Sequence, residues 1–181
     1  EYPVAIKEVF NTSVENRINI VRELTILSKI NHPNICRFYG GFINKKKFFM
    51  VFEYMTCTLN PRNNTKYGIN LQEQYTRLGV MADVYKAIAY LHEELNVIHR
   101  DIKPPNILLS KECNVVIAKL CDFNLARPAQ QGGRAGPDYT DYVQSRWYRS
   151  PELLFGSENK YNVSVDVWAA ACVHYEILTG F

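Results

Sequence analysis

Short runs of β-branched and aromatic residues alternate along this chain with longer stretches whose apolar residues recur every three or four positions. The short runs are typical of β-strands and the longer stretches of amphipathic helices. The order of these elements predicts an α+β fold that becomes more helical after residue 54. We predict strands over residues 3–9, 36–43, 48–54, 107–109 and 115–120, and helices over residues 13–30, 71–92 and 161–181.

Each of the first two predicted helices carries an apolar stripe that we expect to be buried. Glu23 lies beside the first stripe rather than on the opposite face. A carboxylate in that place needs a cation, and Lys7 in the first strand is the candidate; a surface pair with a nearby Lys or Arg is the alternative. The stripes consist of Ile20, Leu24, Leu27 and Ile30 in the first helix and of Leu78, Met81, Val84, Ile88 and Leu91 in the second.

Composition places the chain among globular proteins, since 47% of its 181 residues are hydrophobic and 22% are charged. The net charge of +3 gives no reason to expect nucleic acid or an anionic membrane as a partner. No apolar run reaches the ~18 residues that span a bilayer. The five cysteines form no C-x-x-C pair, which favours reduced thiols inside a cell. Because no charged and apolar leader is visible at the start, we expect a cytoplasmic or nuclear location, or both.

A polar loop between two apolar segments carries most of the candidate chemistry. It reads H-R-D-I-K-P-P-N over residues 99–106 and places Asp101, Lys103 and Asn106 close together. A polar turn between two strands is the alternative interpretation. The complete string with apolar residues on both sides argues against a simple turn.

Further motifs accompany this loop in the order found in protein kinases. Over essentially its whole length, the chain therefore resembles a eukaryotic protein kinase of the CMGC group, which includes the mitogen-activated and cyclin-dependent kinases. The T-D-Y triplet before R-W-Y-R is most similar to a mitogen-activated protein kinase. The motifs are V-A-I-K, R-E-L, H-P-N-I, V-F-E-Y-M, H-R-D-I-K-P-P-N, C-D-F-N-L-A-R and R-W-Y-R-S-P-E-L-L.

The resemblance implies part of a two-lobed kinase fold, with ATP and Mg²⁺ as cofactors. Residues 1–54 would form a small, mostly antiparallel β lobe with one helix, and residues 55–181 a larger helical lobe. Asp101 would accept the proton of the attacking hydroxyl, and Lys103 would face the γ-phosphate. Asn106 and Asp122 would bind Mg²⁺.

The resemblance also implies where the nucleotide would lie. Lys7 would hold the α- and β-phosphates and be fixed by Glu23. Adenine would bind backbone groups of the hinge at residues 53–55. The residues expected around adenine are Ala5, Phe52, Glu53, Met55 and Leu108, and an apolar column of Leu27, Phe38, His99 and Phe123 would link the lobes.

By the same resemblance, phosphorylation would switch the protein on. An upstream dual-specificity kinase would modify Thr140 and Tyr142, phosphatases would reverse this, and each phosphate would attract arginines. Protein substrates would carry Ser or Thr before Pro, and Lys103 is typical of serine/threonine kinases. Ordinary solvation is the alternative for any single arginine. Arg22, Arg100 and Arg127 would gather phospho-Thr140, and Arg146 and Arg149 would gather phospho-Tyr142.

Several positions depart from the kinase pattern. Asn124 replaces the Gly of D-F-G, and we expect it to keep the bend because Asn tolerates a positive φ. Thr58 replaces an Asp that bonds ribose, and Ala171 replaces the Gly of D-x-W-x-x-G. For Asp166 in that motif, capping its own helix and bracing the backbone of the catalytic loop are both open.

The ends of the chain also differ from a complete kinase. No Gly-rich loop precedes Lys7, and the chain stops early in the larger lobe, so we expect part of a longer catalytic domain. These departures leave a second hypothesis: a pseudokinase-like nucleotide-binding or scaffold module, with the 181 residues themselves inactive.

Overall fold

The computed structural model describes residues 2–9, 14–45, 47–60, 64–129, 146–155 and 162–180. An antiparallel sheet contains β1 (Val4–Val9), β2 (Phe38–Asn44) and β3 (Lys47–Glu53), with β3 in the centre. Its strands are rich in β-branched and aromatic residues, which pack well on a pleated surface. A register shift between Phe38 and Gly40 interrupts the pairing of β2 with β3.

A second antiparallel sheet follows, in which β6 (Ile107–Glu112) lies between β4 (Cys57–Thr58) and β7 (Val115–Leu120). The segment that carries the candidate chemistry leaves β5 (Val97–Ile98) and enters β6. A short antiparallel pair joins β5 to β8 (Arg127–Pro128). The predicted strands are therefore present, and both ends of the polar loop are fixed in sheets.

Four α-helices are present in the described part of the chain. The first, α1, ends at Leu27 rather than at residue 30, and α2 begins at Gln74 rather than at residue 71. Beyond α2 the chain continues as one π-helical turn over Tyr90–Glu94. The helices are α1 (Val14–Leu27), α2 (Gln74–Ala89), α3 (Pro151–Leu154) and α4 (Ser164–Thr179).

The buried face of α2 differs from the predicted stripe at one end. Leu78 is 47% exposed, whereas Val80 and Ala87 are completely buried. Residues 80, 81, 84, 87, 88 and 91 share one face of the helix, and Leu78 lies at its margin. The predicted stripe was wrong at Leu78 because it omitted Val80 and Ala87, which place the centre of the buried face away from Leu78.

One main hydrophobic cluster joins these elements. It contains Leu27 from α1, Met50 from β3, Ile88 from α2, Leu109 from β6 and Val173 from α4. The antiparallel sheets and helices make the fold α+β, as predicted. The boundary between lobes at residues 54 and 55 stays a prediction. Among the described residues, no helix combines the length and apolar character required to traverse a bilayer.

Candidate active site

The polar loop brings three of the predicted site residues, two catalytic and one metal-binding, into contact. The Lys103 Nζ atom lies 2.8 Å from Asp101 Oδ2. The Asn106 amide nitrogen donates hydrogen bonds to the Asp101 carbonyl oxygen at 2.8 Å and to Asp101 Oδ2 at 2.9 Å. Because its nitrogen is used in this way, the amide oxygen of Asn106 is the atom left to accept a donor or bind a cation.

Asp166, in the first turn of α4, braces this loop from behind. Its fully buried carboxylate accepts backbone N–H bonds from His99 and Arg100, each at 2.8 Å. His92 Nε2 lies 2.8 Å from the same carboxylate. Arg100 has a φ of 67°, a left-handed conformation that is unfavourable for a long side chain. The two alternatives for Asp166 were a cap on its own helix and a brace for the loop backbone. The structure shows the contact with the backbone of the polar loop.

His99 joins the polar loop to the segment after β7. Its Nδ1 accepts the Asp101 N–H at 3.3 Å, and its Nε2 lies 3.1 Å from the Cys121 carbonyl oxygen. Burial lowers the pKa of His99 despite the nearby Asp166 charge, which favours a neutral ring that donates from Nε2. The ring meets Phe123 edge-on with a centroid separation of 4.8 Å. This pair forms part of the predicted apolar column.

Lys7 lies between two carboxylates. Its Nζ atom is 2.9 Å from Glu23 Oε1 and 2.9 Å from Asp122 Oδ1. Burial alone would lower the pKa of Lys7, but the charges of Glu23 and Asp122 outweigh burial and raise that pKa above its usual 10.5. Lys7 is therefore a fixed cation, and buried Glu23 has the partner that its position in α1 required.

The bend after β7 is made by Asp122 and not by Asn124. Asp122 has a φ of 65°, whereas Asn124 is exposed and does not have a positive φ. The expectation that Asn124 preserves the bend through a positive φ was therefore wrong. The backbone strain is located at the residue whose carboxylate meets Lys7.

A cavity of about 300 Å³ lies where these groups meet. Lys7, Asn106 and Asp122 give it a polar side. Ala5, Phe52, Glu53 and Leu108, which were expected around adenine, are also lining residues, and adenine binding itself stays a prediction. The remaining lining residues are Cys36, Pro105 and Cys121.

Cys36 and Cys121 are lining residues that the sequence analysis did not identify. Burial raises the pKa of Cys36 to about 11 and that of Cys121 to about 12, so both are protonated thiols at neutral pH. Each follows an apolar residue in an extended segment, and only the pairing of the two segments places them together.

Two predicted residues stand slightly apart from the cavity. Asp101 does not line the cavity, but it accepts a hydrogen bond from Asn106, which does. Met55 follows β3, and no hydrogen bond within the described residues uses its backbone N–H. That donor is therefore available beside the cavity.

Glu53 is anchored at the end of β3. Its carboxylate lies 2.6 Å from Lys119 Nζ and accepts the Arg37 N–H at 3.2 Å. Its own N–H donates to the Arg37 carbonyl oxygen at 2.9 Å. The Glu53 carbonyl oxygen accepts the Cys36 thiol at 3.5 Å. These bonds fix the backbone at which the hinge was predicted.

Two of the three arginines predicted to bind phospho-Thr140 share a partner. Arg22 Nη1 and Arg127 Nη2 both donate to Asn19 Oδ1, at 3.3 and 3.2 Å. Arg100 is buried and donates through Nε to the Leu125 carbonyl oxygen at 2.7 Å. Thr140 and Tyr142 lie outside the described residues, so phosphate binding by these arginines stays a prediction.

The other two arginines lie around a short 3₁₀ turn. Arg146 begins this turn and is exposed, and Arg149, just after it, is partly buried. The Arg149 N–H lies 3.5 Å from the Arg146 carbonyl oxygen. Their assignment to phospho-Tyr142 also stays a prediction.

The ligands available for a metal ion are few. No group of three or more His, Cys, Asp or Glu side chains in the described ranges is placed to hold one. Mg²⁺, however, is commonly held by one or two protein carboxylates together with substrate phosphates. The Asp122 carboxylate and the Asn106 amide oxygen, on one cavity, fit that mode of binding.

Comparison with known proteins matches the whole chain to one family. The model of the protein kinase domain covers residues 1–181. Cyclin-dependent kinase-like 4 from Mus musculus is 41% identical over 98% of this chain and 49% of its own length. Mitogen-activated protein kinase 15 from Caenorhabditis elegans is 36% identical over 98% of this chain and 38% of its own length. The chain thus spans about half or less of these relatives.

A solved structure has the same fold. A chain of the yeast RNA Pol II CTD kinase CTDK-1 complex superposes with a TM-score of 0.82 and 29% sequence identity, over 98% of this chain and 55% of that one. The sequence matches and the shared fold are consistent with the contacts that Lys7 makes with Glu23 and Asp122. This chain therefore belongs to the protein kinase domain family, in the group of cyclin-dependent-like and mitogen-activated kinases.

Proposed function

We propose that the protein containing this chain is a serine/threonine kinase that transfers the γ-phosphate of ATP to protein substrates. The observation that carries the proposal is the meeting of Lys7, Asn106 and Asp122 on one cavity, with Asp101 bonded to Asn106. One cation, one candidate metal-binding pair and one further carboxylate are thereby held on three different segments, namely β1, the polar loop and the turn after β7. Phosphoryl transfer needs such positioning and charge stabilisation more than covalent chemistry.

The cavity fits a nucleotide in both shape and charge. Its apolar side, with Ala5 and Leu108, suits an adenine ring, and the N–H of Met55 suits a ring nitrogen. Lys7 suits the phosphates, because Glu23 keeps it charged and in place. Mg²⁺ held by Asp122 and Asn106 would neutralise charge on the phosphates as transfer proceeds.

The residues of the polar loop have separate roles in the transfer. Asp101 accepts the proton of the substrate hydroxyl, and the hydrogen bond from the Asn106 side-chain amide holds the Asp101 carboxylate in place. Lys103 leaves Asp101 for the γ-phosphate and stabilises its developing charge. Asp166 keeps the loop backbone in position through two N–H bonds.

Finer features of the proposal rest on the resemblance and on the arginines. Substrates carry Ser or Thr before Pro, and phosphorylation of Thr140 and Tyr142 by an upstream dual-specificity kinase raises activity. The meeting of Arg22 and Arg127 at Asn19 supports an anion site on α1. A phosphate at residue 140 would give these arginines a stronger acceptor than the Asn19 oxygen. A location in the cytoplasm or nucleus remains part of this proposal.

The experiment is a transfer assay with the full-length protein, γ-labelled ATP, Mg²⁺ and matched peptides. Peptides with Ser-Pro or Thr-Pro should be labelled, and the same peptides with Tyr-Pro should not. Prior treatment with a dual-specificity kinase should raise the rate, and Thr140→Ala should remove that increase. Labelling of Tyr alone, or of no peptide before or after activation, would refute the proposal.

A second candidate function is a nucleotide-binding scaffold without turnover. The observation that favours it is the 2.9 Å pair between Lys7 and Asp122, which occupies one Asp122 oxygen. The Lys7–Asp122 pair must separate before Lys7 can bind the phosphates and Asp122 can bind Mg²⁺. If this pair persists, calorimetry will detect ATP binding that gains nothing from Mg²⁺, and the transfer assay will detect no product.

A further inference from the structure

Cys36 and Cys121 lie side by side although 85 positions separate them in the sequence. Ile35 forms a parallel bridge with Leu120. The Leu120 N–H donates to the Asn34 carbonyl oxygen and the Cys36 N–H to the Leu120 carbonyl oxygen, both at 2.9 Å. The residue after each bridge partner is a cysteine. β7 ends at Leu120, and the positive φ comes at Asp122, one residue beyond Cys121.

Alternation of side chains sends both cysteines to the same face. Ile35 and Leu120 point into the core, where they are 1% and 0% exposed. In paired extended segments successive residues point to opposite faces. Cys36 and Cys121 must therefore share the other face, and both line the 300 Å³ cavity.

The bridge between the preceding residues implies a spacing of Cys36 and Cys121 that suits a covalent link. Neighbouring strands lie about 4.8 Å apart, and disulfides join residues whose Cα atoms are about 4.4–6.8 Å apart. No other cysteine shares this cavity among the residues described. All five cysteines of the chain are free, so the pair is in its reduced form.

We propose that Cys36 and Cys121 form a redox modification site, a dithiol in the cavity wall that hydroperoxides close to a disulfide. In the first step the small thiolate fraction of Cys121 attacks the peroxide and becomes a sulfenic acid, and the second peroxide oxygen leaves as water. Because burial keeps this thiol mostly protonated, the step is slow. In the second step the Cys36 sulfur displaces the hydroxyl group from that sulfur, forming the S–S bond and a second water. Overall, two thiols lose two hydrogens and one peroxide becomes two waters.

The modification changes the cavity at two places. Cys36 loses the thiol hydrogen that it donates to the Glu53 carbonyl oxygen. Cys121, next to Asp122, becomes tied to the segment after α1. A nucleotide in the cavity would cover the pair and slow its oxidation; this consequence rests on the proposed function, whereas the disulfide itself does not.

The test treats the reduced full-length protein with hydrogen peroxide and maps its peptides by mass spectrometry. We expect a peptide pair joined through residues 36 and 121, about 2 Da lighter than the sum of the two thiol peptides and restored by dithiothreitol. Cys36→Ser and Cys121→Ser should each abolish it, and Cys113→Ser, at an exposed turn, should leave it unchanged. Separate oxidation of the two cysteines without a link would overturn the proposal.

A second arm repeats the oxidation with Mg·ATP, after calorimetry has measured its dissociation constant. At ten times that constant, we expect the link to form about tenfold more slowly. An unchanged rate in protein that binds ATP would overturn the placement of the pair beneath the nucleotide. Absence of ATP binding in calorimetry would instead count against the proposed function, and the first arm would still decide on the disulfide.

Discussion

Each charged group of the candidate site is compensated by a specific neighbour. Lys7 meets Glu23 and Asp122, and Asp101 meets Lys103. Glu23 is only 5% exposed, so its charge is tolerable because Lys7 lies against it. The same contacts that position the site therefore stabilise the fold around it.

Replacement of Lys7 by Met should lower the free energy of unfolding by about 1–3 kcal/mol, because buried Glu23 loses its partner. The matched control is Lys47→Met. Lys47 pairs with Glu8 at 2.6 Å in the same sheet, but Lys47 is 58% exposed, and such pairs contribute about 0–1 kcal/mol. Urea titration of both variants measures the difference. Equal losses would contradict the role of burial, and adding Glu23→Gln to Lys7→Met should recover stability.

His99 should make stability depend on pH. Its pKa is lowered by burial in the folded state, so the unfolded chain takes up a proton first as pH falls. Stability should therefore decline as pH drops below 6.5, by at most about 1.4 kcal/mol per pH unit for this group. Unfolding free energies between pH 7.5 and 5.5 should decline less steeply for His99→Gln than for the original protein. An equal decline in the two proteins would contradict this role of His99.

At the scale of elements, the polar loop depends on a helix that is remote in sequence. The two N–H groups of His99 and Arg100 are bonded to Asp166 in the first turn of α4. The left-handed Arg100 is thereby fixed, and Asp101 follows directly. The position of Asp101, the proposed catalytic base, is thus set by packing between α4 and the β5–β6 connection.

Asp166→Asn should lower the free energy of unfolding by about 2 kcal/mol or more, because an amide cannot accept at both oxygen positions and one buried N–H loses its partner. Asp83→Asn is the control. Asp83 accepts a single backbone N–H, from Ala118 at 3.1 Å, and is less buried. Thermal and urea unfolding should rank the two variants in that order. A neutral Asp166→Asn would mean that α4 does not brace the loop.

The sequence predicted elements better than it predicted their ends and exact faces. The strands were found because β-branched and aromatic runs are local signals. The end of α1 at Leu27 and the exposure of Leu78 were missed, because the tertiary packing that decides them is not visible in local periodicity. The π-helical turn at Tyr90–Glu94 likewise has no sequence signal that we recognised.

The sequence predicted those site residues that belong to a recognisable motif. The contact of Lys7 with Glu23 was predicted from motif residues, whereas the hydrogen bond from Asn106 to Asp101 was not. The bend at Asp122 was assigned to Asn124, because residue type was taken as a guide to φ. The pair of cysteines was missed, since only a parallel pairing of distant segments creates it.

At the scale of the whole molecule, apolar side chains remain exposed on one side of the structure. The surface around α4 includes Trp147, 84% exposed, and Tyr175, 65% exposed. These residues and Trp168 line a cavity of about 390 Å³. Large apolar patches of this kind mark association sites or aggregation hazards.

The 181 residues expressed alone should therefore self-associate. Light scattering coupled to size-exclusion chromatography should detect species larger than the 21.0 kDa monomer. The double change Trp147→Glu and Trp168→Glu should increase the monomer fraction, whereas Val115→Glu, on the exposed start of β7, should not. A monomeric preparation of the unchanged chain would contradict this prediction.

The central claim is that Asp101 takes the proton of a hydroxyl that attacks a nucleotide held by Lys7, Asn106 and Asp122. The most direct test measures both turnover and Mg·ATP affinity in the full-length protein and in its Asp101→Asn variant. Loss of the base should lower turnover about 100-fold or more, while the ATP dissociation constant stays nearly the same. Unchanged turnover in Asp101→Asn would contradict the account.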